Sequence, residues 1–173
     1  MGKFFGIVVA ACLAVSTLFG HEHCKVLFSG QEAILEELVN DIKDEKYLIQ
    51  IAASRVTNRK IINALIAAKK KGVIVEVILD DMKNRPSTAV YDLFRNNVPV
   101  FVYRPKHMFK KPHLLHKFCV LSDKVWMGNF VINQKLRAAI RESAVVISHK
   151  DVVEDFMREF EFLKLRDCKR AIL

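Results

Sequence analysis

Glycine and proline are scarce in this chain, at six and four of its 173 residues. There is no internal repeat and no low-complexity linker, which excludes repeat arrays and modules joined by flexible tethers. Apolar residues make up 51% and charged residues 27% of the sequence, a balance typical of a globular rather than a disordered chain. A chain of this length suits one domain around a single core.

Acidic residues are also in short supply. The chain has 19 of them against 28 lysines and arginines, which gives a formal net charge of +9. Such an excess favours a polyanionic partner, either nucleic acid or the head groups of anionic lipids. Cysteines and histidines are few, and no spacing between them matches a zinc site, so no metal ion is predicted.

The four cysteines leave one pairing open. Cys12 lies in the N-terminal segment and Cys119 in an apolar strand, where a buried thiol is the ordinary role. Cys24 and Cys168 flank the globular part of the chain. In an oxidising compartment a disulfide between these two would tie its ends together, and the sequence alone does not decide whether it forms.

Charged residues are missing from the stretch 4–20, which follows Lys3. This uncharged run of 17 residues has a length between that of a signal-peptide core and that of the shortest membrane span. We therefore predict that residues 1–22 are a signal peptide or an N-terminal membrane anchor and that 23–173 form the folded domain. Such a domain is exported or membrane-anchored, with the bacterial periplasm or secretion favoured and the mitochondrial outer membrane as the alternative. A lipoprotein box at Cys12 and a buried N-terminal helix are weaker alternatives.

Beyond the N-terminal segment, strand-like and helical patterns alternate. Helices are predicted from apolar residues at helical spacing, over 31–42, 57–71, 88–95 and 151–165. Strands are predicted over 25–28, 47–53, 73–79, 98–102, 114–121, 125–127 and 144–147. Thr57 is the expected N-cap of the second helix, and Gly72 ends it. Strands separated by helices early in the chain, and close together later, predict an α/β fold with a mixed sheet.

The most informative stretch is 114–130, Leu-Leu-His-Lys-Phe-Cys-Val-Leu-Ser-Asp-Lys-Val-Trp-Met-Gly-Asn-Phe. It resembles the signature of the phospholipase D superfamily, His-x-Lys-x4-Asp followed by Gly-Ser-x-Asn. Lys117 and Gly128 match that pattern. Weaker similarities, in the order and spacing of the elements, extend the resemblance over 25–165. They imply a phospholipase D-like α/β/α sandwich with a mixed central sheet.

Four positions of the signature carry other residues. Leu115 stands at the position of the nucleophilic His, and Ser122 at that of the Asp. Asn129 and Val131 stand at the positions of the Ser and the Asn. In the family one His attacks phosphorus, a second His protonates the leaving group, and Lys and Asn hold the phosphate oxygens. The resemblance implies that two motifs from two repeats or two subunits form one groove, without a metal or other cofactor.

Two histidines near the signature are candidates for the missing one. Side chains alternate along a strand, so His116 is predicted to point to the face opposite Lys117, in a packing role. His113 lies two residues before Leu115 and shares its face if the strand starts early. It would then sit about 6–7 Å from the position of the nucleophile. The candidate catalytic residues are therefore Lys117, His116 and His113.

Phosphate binding is predicted at the motif and in the loop before it. Lys117 and Asn129 are polar at positions where the family binds phosphate oxygens. The basic loop 104–113 places cationic side chains beside an aromatic one, which suits a phosphodiester backbone or an anionic membrane surface. The loop residues predicted to bind phosphate are Arg104, Lys106, Lys110 and Lys111.

These observations predict a phosphodiesterase-family protein with impaired or absent catalysis that binds phosphodiesters of anionic lipid or nucleic acid. One alternative is an active phospholipase or endonuclease that uses His113 or His116. Another is a non-catalytic scaffold that pairs with an active paralogue. The expected partners are a second copy in a homodimer or a paralogue in a hetero-assembly, and a membrane through the N-terminal segment.

Overall fold

The computed structural model describes residues 23–28, 34–80, 88–105, 113–129 and 141–171. In this part of the chain the strands are β1 (Cys24–Phe28), β2 (Leu48–Ala53), β3 (Ile74–Asp80), β4 (Val100–Tyr103), β5 (Phe118–Leu121), β6 (Val125–Asn129), β7 (Ser143–Ile147) and β8 (Cys168–Arg170). The helices are α1 (Ile34–Asp44), α2 (Arg59–Lys70), α3 (Thr88–Arg95) and α4 (Lys150–Arg166).

The strands form one mixed sheet in the order β1-β7-β6-β5-β2-β3-β4-β8. The strands β2, β3 and β4 are parallel to one another, and every other pairing is antiparallel. Apolar side chains of α1, α2 and α3 pack on one face of the sheet around Trp126. Those of α4 pack on the other face around Phe118. The predicted α/β sandwich with a mixed central sheet is confirmed.

The second helix begins one residue later than predicted. Asn58, rather than Thr57, is its N-cap, because the Asn58 side chain accepts a hydrogen bond of 3.0 Å from the backbone N–H of Lys60. An asparagine at this position satisfies one of the unpaired N–H groups of the first turn. Gly72 follows the helix with φ +93°, a backbone conformation that favours glycine, so the predicted end is confirmed.

The signature strand starts four residues later than its apolar pattern predicted. Residues 113–117 are irregular, and β5 begins at Phe118, which is paired with Ala52 near the end of β2. The backbone N–H of Leu114 donates instead to Oδ2 of the buried Asp80, at 3.0 Å. The pairing of β5 with β2 therefore stops near Phe118, because β2 ends there and the Asp80 carboxylate binds the Leu114 N–H. The pattern also gave no signal for the short edge strand β8.

The disulfide considered between Cys24 and Cys168 is excluded by the sheet order. Cys24 begins β1 and Cys168 begins β8, which are the two outermost strands of the sheet. Seven inter-strand steps of about 4.8 Å separate them, whereas a disulfide needs Cα atoms about 4.4–6.8 Å apart. Both are free thiols, as is the buried Cys119.

The predicted signal peptide or anchor, residues 1–22, lies outside the described residues. Within the described ranges, no helix has both the length and the apolar character needed to cross a bilayer.

Candidate functional site

Lys117 lies at the edge of the sheet where the parallel strands end. It directly precedes β5, whose first residue is paired with Ala52 near the carboxyl end of β2. Asn129 is the last residue of β6. The Lys117 Nζ donates a hydrogen bond of 3.0 Å to the Asn129 Oδ1, and the pair is exposed to solvent. A cation beside an amide is a suitable arrangement for holding phosphate oxygens, through charge and through N–H donors.

Leu115 lies two residues before Lys117 in the chain and is 85% exposed. It lines an open cleft of about 320 Å³ with Tyr103, His113, Leu114, His116 and Leu163. A large apolar side chain in full contact with water gains nothing from packing, so the core does not require a leucine here. An aliphatic side chain offers neither a lone pair for attack on phosphorus nor a proton for a leaving group.

His116 lies against α4, although no strand forms over 113–117 to impose the predicted alternation. Its Nε2 lies 3.3 Å from Oε1 of Glu159 on that helix. Its ring also makes an edge contact with Phe118, with the centroids 5.8 Å apart. Both partners belong to the face that α4 covers, so the structure supports a packing and hydrogen-bonding role for this histidine.

His113 does not share the face of Leu115 through an extended strand, because no strand forms over 113–117. Instead its Nδ1 lies 3.4 Å from Oδ2 of Asp80, at the end of β3. The Asp80 side chain is completely buried, while that of His113 is half exposed. A carboxylate on one ring nitrogen favours the proton at that nitrogen and leaves Nε2 as the basic one. Asp80 was not predicted from the sequence as a partner of His113. The signal available for it was an acidic residue directly after the β-branched strand predicted over 73–79.

Ser122 lies far from the Lys117–Asn129 pair. It sits in the turn after β5, five residues beyond Lys117, or about 16 Å along a strand. There Glu45 accepts hydrogen bonds from the Ser122 backbone N–H at 2.9 Å and from its hydroxyl at 2.8 Å. The same carboxylate accepts from the N–H groups of Lys46 and Tyr47. Desolvation raises the pKa of Glu45, but these hydrogen bonds outweigh it and the net pKa is lowered. The replaced Asp position is therefore structural in this chain.

Cationic residues gather at the edge that holds Lys117. Arg55 follows β2, Arg104 follows β4, and Arg141 precedes β7, and the strand registers place all three at this edge. Ligands of open α/β sheets bind outside the carboxyl ends of parallel strands, where these residues lie. Arg104 was predicted from the sequence, whereas Arg55 and Arg141 were not. The other predicted loop residues, Lys106, Lys110 and Lys111, lie outside the described residues.

A metal ion has no evident site in the described ranges of the chain. There, no group of three or more His, Cys, Asp and Glu side chains is close enough to hold one.

The fold and the signature agree with a family model. The model described as "Cardiolipin synthase, PLD-like domain" matches residues 38–164 of the chain. The chain belongs to the phospholipase D superfamily. The match spans most of the sheet and all of the signature, so the Leu115 and Ser122 replacements occur inside a true phospholipase D domain.

Solved structures of several other proteins have a similar fold. Nuc from Salmonella typhimurium, a phospholipase D family member, is 21% identical with a TM-score of 0.73, over 87% of this chain and 98% of Nuc. NucT from Helicobacter pylori is 15% identical with a TM-score of 0.74, over 86% of this chain and 98% of NucT. Phosphatidylserine synthase from Haemophilus influenzae is 17% identical with a TM-score of 0.62, over 83% of this chain and 37% of the synthase. Among curated protein sequences, none matches the chain.

Proposed function

We propose that this phospholipase D-like protein binds phosphodiesters of anionic lipid or nucleic acid at Lys117 and Asn129, and hydrolyses them poorly or not at all. The observation that carries the proposal is the exposed Leu115 at the nucleophile position, two residues before a lysine that donates a hydrogen bond to the Asn129 amide. The capacity to hold phosphate oxygens and the capacity to attack phosphorus reside in different side chains. One can therefore persist after the other is lost.

Binding is supported by the charge of the edge. Arg55, Arg104 and Arg141 lie at the same edge of the sheet as the Lys117–Asn129 pair. With a net charge of +9, the whole molecule adds an attractive field for a polyanion. Because such binding releases counterions, it weakens steeply as the salt concentration rises.

The binding half of the proposal is tested with a single-stranded oligonucleotide and with phosphatidylglycerol vesicles. Replacing Lys117 with Ala removes a charge-assisted contact, so we expect affinity for the bound ligand to fall by about tenfold or more. Lys43→Ala is the matched control, because it removes one exposed lysine at the other end of the sheet. Equal affinities of the two variants for both ligands would contradict phosphate binding at Lys117.

The catalytic half is tested with bis(p-nitrophenyl) phosphate. We expect no turnover by the natural chain and a measurable gain in Leu115→His, since an exposed position accepts an imidazole without disturbing the core. Ile74→His is the control, because Ile74 is 58% exposed at the start of β3, at the opposite edge of the sheet. Turnover by the natural chain that is lost in His113→Ala or His116→Ala would overturn the proposal of impaired catalysis.

A second candidate function, an active phosphodiesterase using His113, is favoured by one contact. The buried carboxylate of Asp80 lies 3.4 Å from the His113 Nδ1 and orients the ring, as a carboxylate does in a Ser-His-Asp triad. In this mechanism the His113 Nε2 attacks phosphorus, the P–O bond to the leaving group breaks, and water then hydrolyses the phosphohistidine. Asp80→Asn would lower such turnover without removing the histidine, which is the measurement that identifies it.

Assembly and membrane attachment complete the proposal. A second copy or a paralogue would supply the second motif of a shared groove at the edge that holds Lys117. Residues 1–22 would export the domain or attach it to a membrane, in the bacterial periplasm or at the mitochondrial outer membrane. Sedimentation of the purified full chain tests assembly, since a monomer at all concentrations would contradict a homodimer. Extraction of cell membranes with carbonate tests membrane attachment through residues 1–22, since release of the protein would contradict an anchor.

A further inference from the structure

The open cleft of about 320 Å³ beside the signature is lined mainly by planar rings where it is accessible. Two of its lining residues, Leu114 and Leu163, are nearly buried, at 2% and 5% exposure. The other lining residues are at least partly accessible, and three of the four carry a ring: Tyr103, His113, Leu115 and His116. A ligand that enters the cleft therefore meets more ring surface than aliphatic surface.

Both imidazole rings of the cleft are held by carboxylates. The His113 Nδ1 lies 3.4 Å from Oδ2 of Asp80, and the His116 Nε2 lies 3.3 Å from Oε1 of Glu159. Neither acid is among the described residues that line the cleft. Because one nitrogen of each ring already has a partner, the rings are oriented before a ligand arrives, which lowers the cost of binding.

The third ring of the cleft is an uncharged phenol. Tyr103 is the last residue of β4 and packs on the α4 face of the sheet. Desolvation by burial raises the pKa of its hydroxyl, and the charges of Asp167, Cys168 and Asp80 raise it further. A neutral phenol offers a flat π-surface with a polar tip, which suits stacking with another ring.

A cation follows a ring of the cleft at two places in the chain. Arg104 comes directly after Tyr103, and Lys117 directly after His116. Consecutive Cα atoms are about 3.8 Å apart, so each cationic side chain starts beside a ring. Proteins that bind single-stranded nucleic acid combine cationic side chains along the backbone with rings on which the bases stack. The cleft and its neighbouring cations have this combination.

An acyl chain fits the cleft less well than a base does. It would cover the polar nitrogens of two imidazoles and the hydroxyl of Tyr103 without offering them hydrogen bonds. Covering polar groups in this way costs free energy. A base has a π-surface on each side and hydrogen-bond donors and acceptors around its edge, so it can match both the faces and the polar atoms of the rings.

We propose that this cleft is a binding site for an unpaired nucleobase, which stacks on the ring of Tyr103. The phosphate of the same nucleotide binds the Lys117–Asn129 pair. The inference rests on the proposed phosphodiester binding at that pair, and it narrows the ligand there to a single-stranded nucleic acid. A base inside a duplex cannot enter the cleft, because it is paired and stacked between its neighbours.

The test compares two short single strands that have the same number of phosphates. One is an oligothymidylate, and the other has abasic sugars throughout. We expect the full chain to bind the strand with bases about tenfold more tightly, because stacking of a base on an aromatic side chain strengthens binding by at least this factor. Lys117→Ala should weaken the binding of both strands, since both retain their phosphates.

Variants of Tyr103 assign the preference for bases to the ring. Tyr103→Leu keeps an apolar side chain on β4 but removes the ring, so it should bind both strands with equal affinity. Tyr103→Phe keeps the ring and should retain the preference. Tyr91→Leu is the matched control, because Tyr91 is 40% exposed on α3, which covers the other face of the sheet. It should change neither affinity.

A fluorescent base reports the stacking directly. A single 2-aminopurine in an otherwise abasic strand has no neighbouring base to stack on, and its emission falls when it stacks on a ring. We expect quenching on binding to the natural chain and to Tyr103→Phe, and none on binding to Tyr103→Leu.

Three results would overturn the base site. If the natural chain binds the two strands equally and Lys117→Ala weakens both, phosphate binding stands and the base site does not. If Tyr103→Leu weakens binding to phosphatidylglycerol vesicles and leaves both strands unaffected, the cleft takes a lipid. If neither strand responds to Lys117→Ala, the proposed phosphodiester binding fails, and the base site fails with it.

Discussion

Leu115 and Ser122 replace two residues of one motif, but their surroundings give the two replacements different consequences. Leu115 is exposed beside Lys117, where a change of side chain alters the chemistry available to a ligand. Ser122 lies in a turn at the other end of β5, and its hydroxyl and N–H both bind Glu45. The first replacement removes a reactive group, whereas the second changes how a turn is held.

The Glu45 carboxylate should stabilise the fold above acidic pH. We expect Glu45→Ala to lower the free energy of unfolding at neutral pH by about 2–3 kcal/mol, because it leaves partly buried N–H groups unpaired. Its folded pKa is lowered below the reference of 4.5, so its contribution is full above the unfolded pKa. It is then lost as pH falls through the folded pKa. Urea unfolding at several pH values should show a difference in the free energy of unfolding between the natural chain and Glu45→Gln, and this difference should shrink below about pH 4.

A matched control for this prediction is Glu37→Gln. Glu37 pairs with Lys25 at 2.7 Å at an exposed site, and such pairs contribute about 0–1 kcal/mol. A Glu37 effect as large as that of Glu45, or a Glu45 effect independent of pH, would contradict the assigned role.

At the scale of the elements, Gly128 allows β6 and β7 to pair beside Asn129. Its φ is +128°, and a Cβ there would lie 2.7 Å from the Ser143 backbone oxygen and 3.2 Å from the Ala144 Cα. Both are strand atoms that cannot retreat without breaking the ladder. We expect Gly128→Ala to lower the free energy of unfolding by about 2–3 kcal/mol and to weaken ligand binding through displacement of Asn129.

Gly72→Ala is the comparison for that experiment. Gly72 also has a positive φ, of +93°, but nothing lies within 4 Å of its added Cβ. We expect backbone strain of about 1–2 kcal/mol and unchanged ligand binding. Equal losses of stability in the two variants, by thermal and urea unfolding, would contradict this account. They would show that the close approach of β7 does not require glycine at position 128.

The attachment of α4 to the sheet depends on a partly buried polar network. Lys164 donates to Glu76 of β3 at 3.0 Å and to Glu161 at 2.7 Å, while Gln50 of β2 donates to both carboxylates. Desolvation lowers the pKa of Lys164, but these hydrogen bonds and charges reverse the shift and raise it. The network fixes the helix over the strands that precede the functional edge.

Removing the cation from this network should be costly. We expect Lys164→Met to lower the free energy of unfolding by about 3 kcal/mol, because two carboxylates remain together without a counter-charge. Adding Glu76→Gln to that variant should recover part of the loss, since it removes the repulsion. Urea unfolding of the two variants provides the measurement, and a double variant less stable than the single one would contradict the account.

Most elements of this fold follow from local patterns, and the exceptions have physical causes. The spacing of apolar residues predicted the helices, which are buried on one face, and the inner strands, which are almost fully buried. The start of β5 depended on Asp80, a residue 34 positions away from Leu114, and no local pattern contains that contact. The three-residue edge strand β8 is too short to have a periodicity. His113 could share the face of Leu115 only if the strand started early, and the strand starts late instead.

At the scale of the whole molecule, the functional edge is a product of topology. Arg55, Arg104, Lys117 and Arg141 are distant in sequence and lie along one edge because four strands begin or end there. Lys117 was identified from the family signature and Arg104 from a basic loop. Arg55 and Arg141 had no such signal, because an arginine beside a strand is ordinary until the strand order is known.

The same topology predicts the oxidation chemistry of the chain. Cys24 is exposed on one outer strand, while Cys168 lies on the other, and burial raises the pKa of the Cys168 thiol to about 12. A thiol with so high a pKa is almost entirely protonated at neutral pH and reacts slowly. Mild oxidation should therefore join Cys24 to small thiols or to another molecule, and never to Cys168 of the same chain. Peptide mapping after alkylation under non-reducing conditions checks this expectation. A peptide that links Cys24 to Cys168 within a monomer would require a different sheet order, because seven strand spacings cannot be closed by one disulfide.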